Sequence, residues 1–486
     1  MLEAGTRSRR PFALADADRE RLAARLRLAA QRARSSGTAT LATISIELGG
    51  DVDPCSVAAA SRRPSEHWFL FEQPDRGGAA LAGLGQALSL QAHGGNRFTE
   101  LAERWRELSA NAASDPAGES AGGGPIAVGG FAFAPDGGRA PHWDGFAPAS
   151  LIVPEVALVR RPHAGGACAR VRITLAALLA PDDLPEDHLA RLELRAAELC
   201  ERPLELLDPA PTGRFVVASA MPPQHYEQAV SRAAELIAAG ELEKIVLARE
   251  VQVHAPRAYD AAAVFGVLRE EFPSCFVFCV GHGESTLIAA SPELLVRREG
   301  HRVSTLALAG STRRSADPAV DDHLGEQLLR DRSYREEHAI VARRIERTLR
   351  PHSIWVAAAA EPELVRIANI QHLATPIRAQ LADPIETLEL AGMMHPTPAV
   401  GGEPEQRATR LIPALEGLDR GWYSGPVGWT DATGDGEFCV ALRCALLRGS
   451  VARCFAGNGI VRDSDPAREL AETEIKLQAL LPLLAG

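Results

Sequence analysis

Three ionisable residues near the end of the chain, Glu469, Glu472 and Lys476, stand at i, i+3 and i+7, a spacing that places side chains on one face of a helix. Two carboxylates about 5 Å apart repel by roughly 3 kcal/mol at an effective dielectric near 20, which favours either a bound cation or open water between them. A divalent metal meets the first condition, and a solvated face with a weak Glu472–Lys476 pair meets the second. Other chemistry-bearing residues occur where periodicity asks for apolar ones. Lys244 shares one face of the strand-like run EKIVLAREVQV with Val246 and Ala248. Such a lysine ordinarily reaches out to solvent, while a buried one can serve as a base near neutrality. Glu293 follows a proline between two strand-like runs. Packed there, its carboxyl is a candidate proton donor; in an open turn it is a hydrated carboxylate. Glu337, Val341 and Ile345 lie at i, i+4 and i+8, so a carboxylate falls on a core stripe, where unpaired it is costly or takes up a proton and a metal or a cationic partner removes the penalty. Arg443, in the apolar run EFCVALRCALL, is a buried cation in search of a carboxylate. Residues 310–314, Gly-Ser-Thr-Arg-Arg, form a small donor-rich loop suited to an anion.

These residues need elements to hold them. Asp465 followed by Pro466 predicts the start of the helix that carries Glu469, Glu472 and Lys476, with the strand of CFAGNGIV before it. A helix over about 224–239 ends at Gly240, and a strand over 243–253 follows with Lys244 at its entry. One helix over about 321–349 carries Glu337. A strand over 365–375 carries His372, a rigid loop spans 394–402, and a strand over 437–447 carries Arg443. Earlier in the chain, 16–36 reads as a polar surface helix. The stretches 38–47, 68–72, 126–133 and 151–159 read as strands, 111–125 as a flexible loop, and 182–202 as a helix. The two prolines of 208–213 mark the best candidate boundary.

Composition narrows the class. With 486 residues, 46% of them apolar, the chain can bury a large core. A net charge of −11 without a basic block, and few aromatic residues, argue against a nucleic-acid partner. No run of eighteen apolar residues and no continuous apolar leader segment occur, so the expectation is a cytoplasmic protein without a membrane partner. The eight cysteines are scattered and lack partnering histidines, which suits reduced core thiols.

Taken in order, EKIVLAR, SPELLVR, LAGSTRR, EHAIV, IQHL, HPTPAVGG, WYSGPVGW, LRCA, FAGNGI and ETEIKL resemble the chorismate-utilising enzymes, and among them most the isochorismate synthases. The likeness is strong over about 215–486 and looser earlier. It implies an α+β fold of two large antiparallel β-sheets packed together with helices on the outside. In that picture 1–36 is an N-terminal polar helical segment, 37–210 the N-terminal part of the fold and 211–486 the chorismate-binding catalytic region, all one structural unit. The resemblance makes Lys244 the base that activates water and Glu293 the acid that protonates the departing hydroxyl. It makes Glu337, Glu469 and Glu472 the ligands of a Mg2+ cofactor. Gly310, Ser311, His372, Ala399, Tyr423, Arg443, Gly457 and Gly459 become the walls around chorismate. The implied reaction adds water at C2 and expels the C4 hydroxyl, giving isochorismate.

Two departures stand out: Ser333-Tyr334 where relatives often have Lys-Asp, and Asn458 where many have alanine, a change expected to matter little if substrate meets only backbone there. Lys244 argues for water rather than ammonia as nucleophile, against an anthranilate-type synthase. Salicylate synthases resemble one another in a threonine where this chain has Ala399, so salicylate formation is the alternative, followed by a catalytically silent relative. The oligomeric state stays open, with a monomer as the working expectation.

Overall fold

Apolar and β-branched runs broken by glycine turns favour pleated, half-buried surface, and the computed structural model resolves them into two antiparallel sheets of twelve and ten strands with helices packed on their outer faces. It describes residues 12–48, 51–115, 124–161 and 169–486; the first eleven residues of the N-terminal segment and 116–123 of the expected loop lie outside these. Strands from early and late in the chain interleave. Trp68–Gln73 pairs with Phe276–His282 in the larger sheet, and Ile126–Phe131 pairs with Pro426–Asp431 in the smaller.

Several expected elements divide where the chain passes from one sheet to the other. The stretch 151–159 proves to be two strands, Ala149–Val153 in the smaller sheet and Val156–Arg161 in the larger. The expected strand over 437–447 is likewise Gly436–Val440 in the smaller sheet and Cys444–Arg448 in the larger, with Arg443 in the crossover at φ +47°. The single helix expected over 321–349 breaks into Pro318–Arg330 and Arg332–Leu349, because Asp331 turns extended and accepts from the backbone N–H groups of Ser333 and Tyr334. The helix Asp16–Ser36 is not merely a surface helix: Leu22, Leu26, Ala29, Ala30 and Ala33 are buried, while its arginines face outward. No helix among the described residues is long and apolar enough to cross a membrane.

Candidate active site

A cavity of 160 Å³ lies between strands Lys244–His254 and Val451–Ile460 of the larger sheet, strands Arg302–Arg313 and Ile370–Leu381 of the smaller, and helices Arg332–Leu349 and Pro466–Leu477. Twelve of the thirteen site residues expected from sequence line it: Glu293, Gly310, Ser311, Glu337, His372, Ala399, Tyr423, Arg443, Gly457, Gly459, Glu469 and Glu472. The thirteenth, Lys244, reaches the wall through Glu337, whose carboxylate accepts from its Nζ at 2.9 Å.

Lys244 does not follow the ordinary habit of strand lysines. Its side chain is 1% exposed, since it opens a strand paired on one side with Val451–Ile460 and on the other with Gly402–Glu403. Gly459 makes the close approach possible: a Cβ there would stand 2.2 Å from Glu337 Oε1 and 2.6 Å from Lys244 Cε. Any larger residue would force the ion pair apart. Glu337 sits one turn before the buried Val341 and two before Ile345, so the core stripe expected from sequence is present and its charge is met by Lys244.

Glu293 is buried just ahead of strand Leu294–Glu299. Its backbone N–H donates to Ser291 Oγ at 3.3 Å and its carbonyl accepts from Val440 at 3.0 Å, which fixes the residue while leaving the carboxyl directed at the cavity. Burial pushes that carboxyl up to about 8, against the pull of the Lys244 ammonium and a long 3.5 Å contact with Thr397 Oγ1. It is therefore a protonated acid at neutral pH. Thr397, absent from the expected site, has no local signal in the sequence; its loop meets Glu293 only in the folded chain.

The helix of Glu469, Glu472 and Lys476 starts at Asp465, which accepts from Arg468 N at 2.8 Å, and directs these three side chains into the cavity. Glu472 and Lys476 do pair, at 2.9 Å, but in a largely buried setting rather than on a solvated face. Gly310 explains a further contact. At φ +76° it forms a bulge in the pairing with Ile370–Leu381, and the shift sets Ser311 opposite His372 with its hydroxyl donating to Glu472 Oε1 at 2.7 Å. Burial pushes Glu472 up, but Lys476 and Ser311 more than offset it and hold its carboxyl below the usual range. Glu469 goes the other way. Burial, then the charge of Glu472, raise it to about 7.

The Asn458 side chain has structural partners of its own. Its side chain is buried, donates from Nδ2 to the Glu469 backbone oxygen at 2.7 Å and to Glu469 Oε2 at 3.0 Å, and accepts from Lys476 Nζ at 2.6 Å. The residue thus ties both ends of the helix to the strand. Tyr334, the other departure, lines the cavity and accepts from Arg468 Nη2 at 2.6 Å. Arg443 finds no carboxylate within 4 Å among the described residues; it donates instead to Nε2 of His372 at 3.0 Å, a ring that burial keeps neutral. Its guanidinium is thus left to bind an anion in the cavity.

The donor set around Glu337, Glu469 and Glu472 is all oxygen, which fits a hard divalent cation such as Mg2+. These three stand farther apart than Asp53, Cys55 and Glu72, whose ligand atoms all lie within 4.8 Å of one another. That tighter group has its positive charge from Arg269 at 2.7 Å from Asp53 and Arg160 at 3.0 Å from Glu72, and at the cavity Glu337 and Glu472 are likewise paired, with Lys244 and Lys476, each at 2.9 Å.

The sequence matches the family model of the chorismate binding enzymes over residues 28–485. It is 38% identical over 445 residues to the salicylate biosynthesis isochorismate synthase of Pseudomonas aeruginosa, covering 90% of this chain and 88% of that one. With isochorismate synthase MenF of Bacillus subtilis it shares 32% identity, covering 86% of this chain and 88% of the relative. The solved structure of MenF, the menaquinone-specific isochorismate synthase from Escherichia coli, superposes with a TM-score of 0.75 at 26% identity over 94% of this chain and 99% of that one. Over nearly its whole length, then, and with the same two-sheet architecture, this chain belongs to the family of chorismate-binding enzymes.

Proposed function

We propose that the chain is an isochorismate synthase, with chorismate as substrate and Mg2+ as cofactor. The observation that carries the reading is the convergence on one cavity of a buried carboxyl held protonated near pH 7 and a buried lysine that reaches the wall through Glu337. An acid and a base on one bound ring are what the exchange of a C4 hydroxyl for a C2 hydroxyl requires.

Lys244, as the neutral amine left once its ion pair with Glu337 is released and its proton lost, takes a proton from water, whose oxygen forms the new bond to C2. The ring double bonds shift, and the C4–O bond breaks as Glu293 protonates the leaving hydroxyl, which departs as water. Return of the proton from Lys244 to Glu293 restores the enzyme, so the net reaction is an isomerisation with no oxidant. Arg443 and Tyr423 hold carboxylate oxygens of the substrate, and Gly310, Ser311, His372, Ala399, Gly457 and Gly459 shape its walls. Glu337, Glu469 and Glu472 would hold Mg2+, which when bound supplies positive charge for a substrate carboxylate and competes with Lys244 for Glu337.

The test is the product formed from chorismate with Mg2+, separated by chromatography. Isochorismate without pyruvate is expected. Pyruvate released in step with chorismate consumption would make the enzyme a salicylate synthase, and no turnover would make it a silent relative.

A further inference from the structure

A second cavity, of 440 Å³, shares no lining residue with the first. It lies between strands Trp68–Gln73, Ala79–Leu84 and Val156–Arg161 of the larger sheet and Leu294–Glu299, Pro426–Asp431 and Gly436–Val440 of the smaller. Five arginines stand in its wall: Arg76, Arg160, Arg161, Arg297 and Arg298. Four have carboxylate partners. Arg76 meets Glu299 at 3.2 Å and Glu437 at 3.3 Å, Arg160 meets Glu72 at 3.0 Å, Arg298 meets Asp435 at 3.0 Å, and Arg297 pairs closely with Glu437.

Arg161 is the exception. Among the described residues it makes no hydrogen bond or contact ion pair; its guanidinium lies 5.2 Å over the Trp429 ring and its Nε is buried without a partner. Arg298, 6% exposed, also leaves its Nε buried and unpartnered. The guanidinium feels the charges of Asp431, Glu299 and Glu437 only from beyond ion-pair distance, so it has given up hydration without a contact anion. Desolvation accordingly lowers the proton affinity of Arg161. Beside Gln73 and the arginine-paired Glu299 and Glu437, the wall offers apolar surface from Phe71, Leu81, Val159 and Trp429, all buried. A bare inorganic anion would match the charge and leave these surfaces uncovered, whereas a carboxylate on an apolar body covers both.

We propose that this cavity is a binding site for a small organic carboxylate with an apolar body, the carboxylate received by Arg161 and the body by the Phe71, Leu81, Val159 and Trp429 surfaces. The site is independent of the chemistry assigned to the first cavity.

Calorimetric titration of the full chain with 2-naphthoate, in the presence of saturating chorismate, tests it. Saturable binding is expected, weakened about tenfold or more in Arg161→Gln. Arg161→Lys should fall between the two, since it keeps the charge but loses the fork. Neither variant should alter turnover of chorismate measured without naphthoate, which also reports that they fold. Inorganic phosphate in excess should not displace the naphthoate. Absence of saturable heat, equal affinity in Arg161→Gln, competition by chorismate, or displacement by phosphate would each overturn the proposal.

Discussion

Replacing Glu293 by Gln should remove activity and, at neutral pH, make the protein more stable. In the folded chain burial holds this carboxyl up at about 8, against 4.5 when unfolded. Between those values the folded state binds more protons than the unfolded one, so the stability present below pH 4.5 is lost progressively as pH rises through about 8. Integrating the linkage gives a cost of about 1 kcal/mol at pH 5 and about 3 kcal/mol at pH 7. An amide has nearly the same shape and does not titrate, so Glu293→Gln escapes the cost. Its advantage over the wild type in urea denaturation should therefore grow by roughly 2 kcal/mol between pH 5 and pH 7. The same side chain is the proposed proton donor, so the variant should lose about 100-fold or more in turnover while still binding chorismate by calorimetry. In the wild type, kcat/KM should fall about tenfold from pH 7 to pH 9 as the acid ionises. An advantage in stability that does not change with pH, or full turnover in the variant, would refute the reasoning.

Exhaustive chelation should end turnover and Mg2+ restore it; Glu472→Gln should raise the Mg2+ needed for half-maximal activity by about 100-fold or more, read by calorimetric Mg2+ titration as well as by rate. Lys244→Ala should lower kcat by about 1000-fold and also destabilise the fold, since it leaves the Glu337 carboxylate without its partner at 2.9 Å; denaturation curves and single-turnover rates separate the two effects. Ala399→Thr, by crowding the enolpyruvyl group of a bound ring, should raise the pyruvate fraction about tenfold in a coupled lactate dehydrogenase assay, a change of roughly 1 to 2 kcal/mol in relative barriers.

What the sequence determined by itself is local. Helical period alone put Glu469, Glu472 and Lys476 on one face and Glu337 on a core stripe, and the Asp465-Pro466 start was readable because a cap acts within a few residues. The order of the motifs sufficed for the family and hence for two antiparallel sheets. Tertiary structure decided the rest. Lys244 is buried rather than hydrated because strands more than 150 residues away flank it on both sides and Gly459 leaves room beside it. Arg443 has no carboxylate within 4 Å among the described residues because the chain changes sheets there, a turn that an unbroken apolar run conceals. Thr397 beside Glu293, and Asn458 bridging Glu469 to Lys476, are contacts set by how segments dock. Periodicity reports which face of an element is apolar; it carries no information about which distant face will lie against it, and that choice sets the charge of every group in the site.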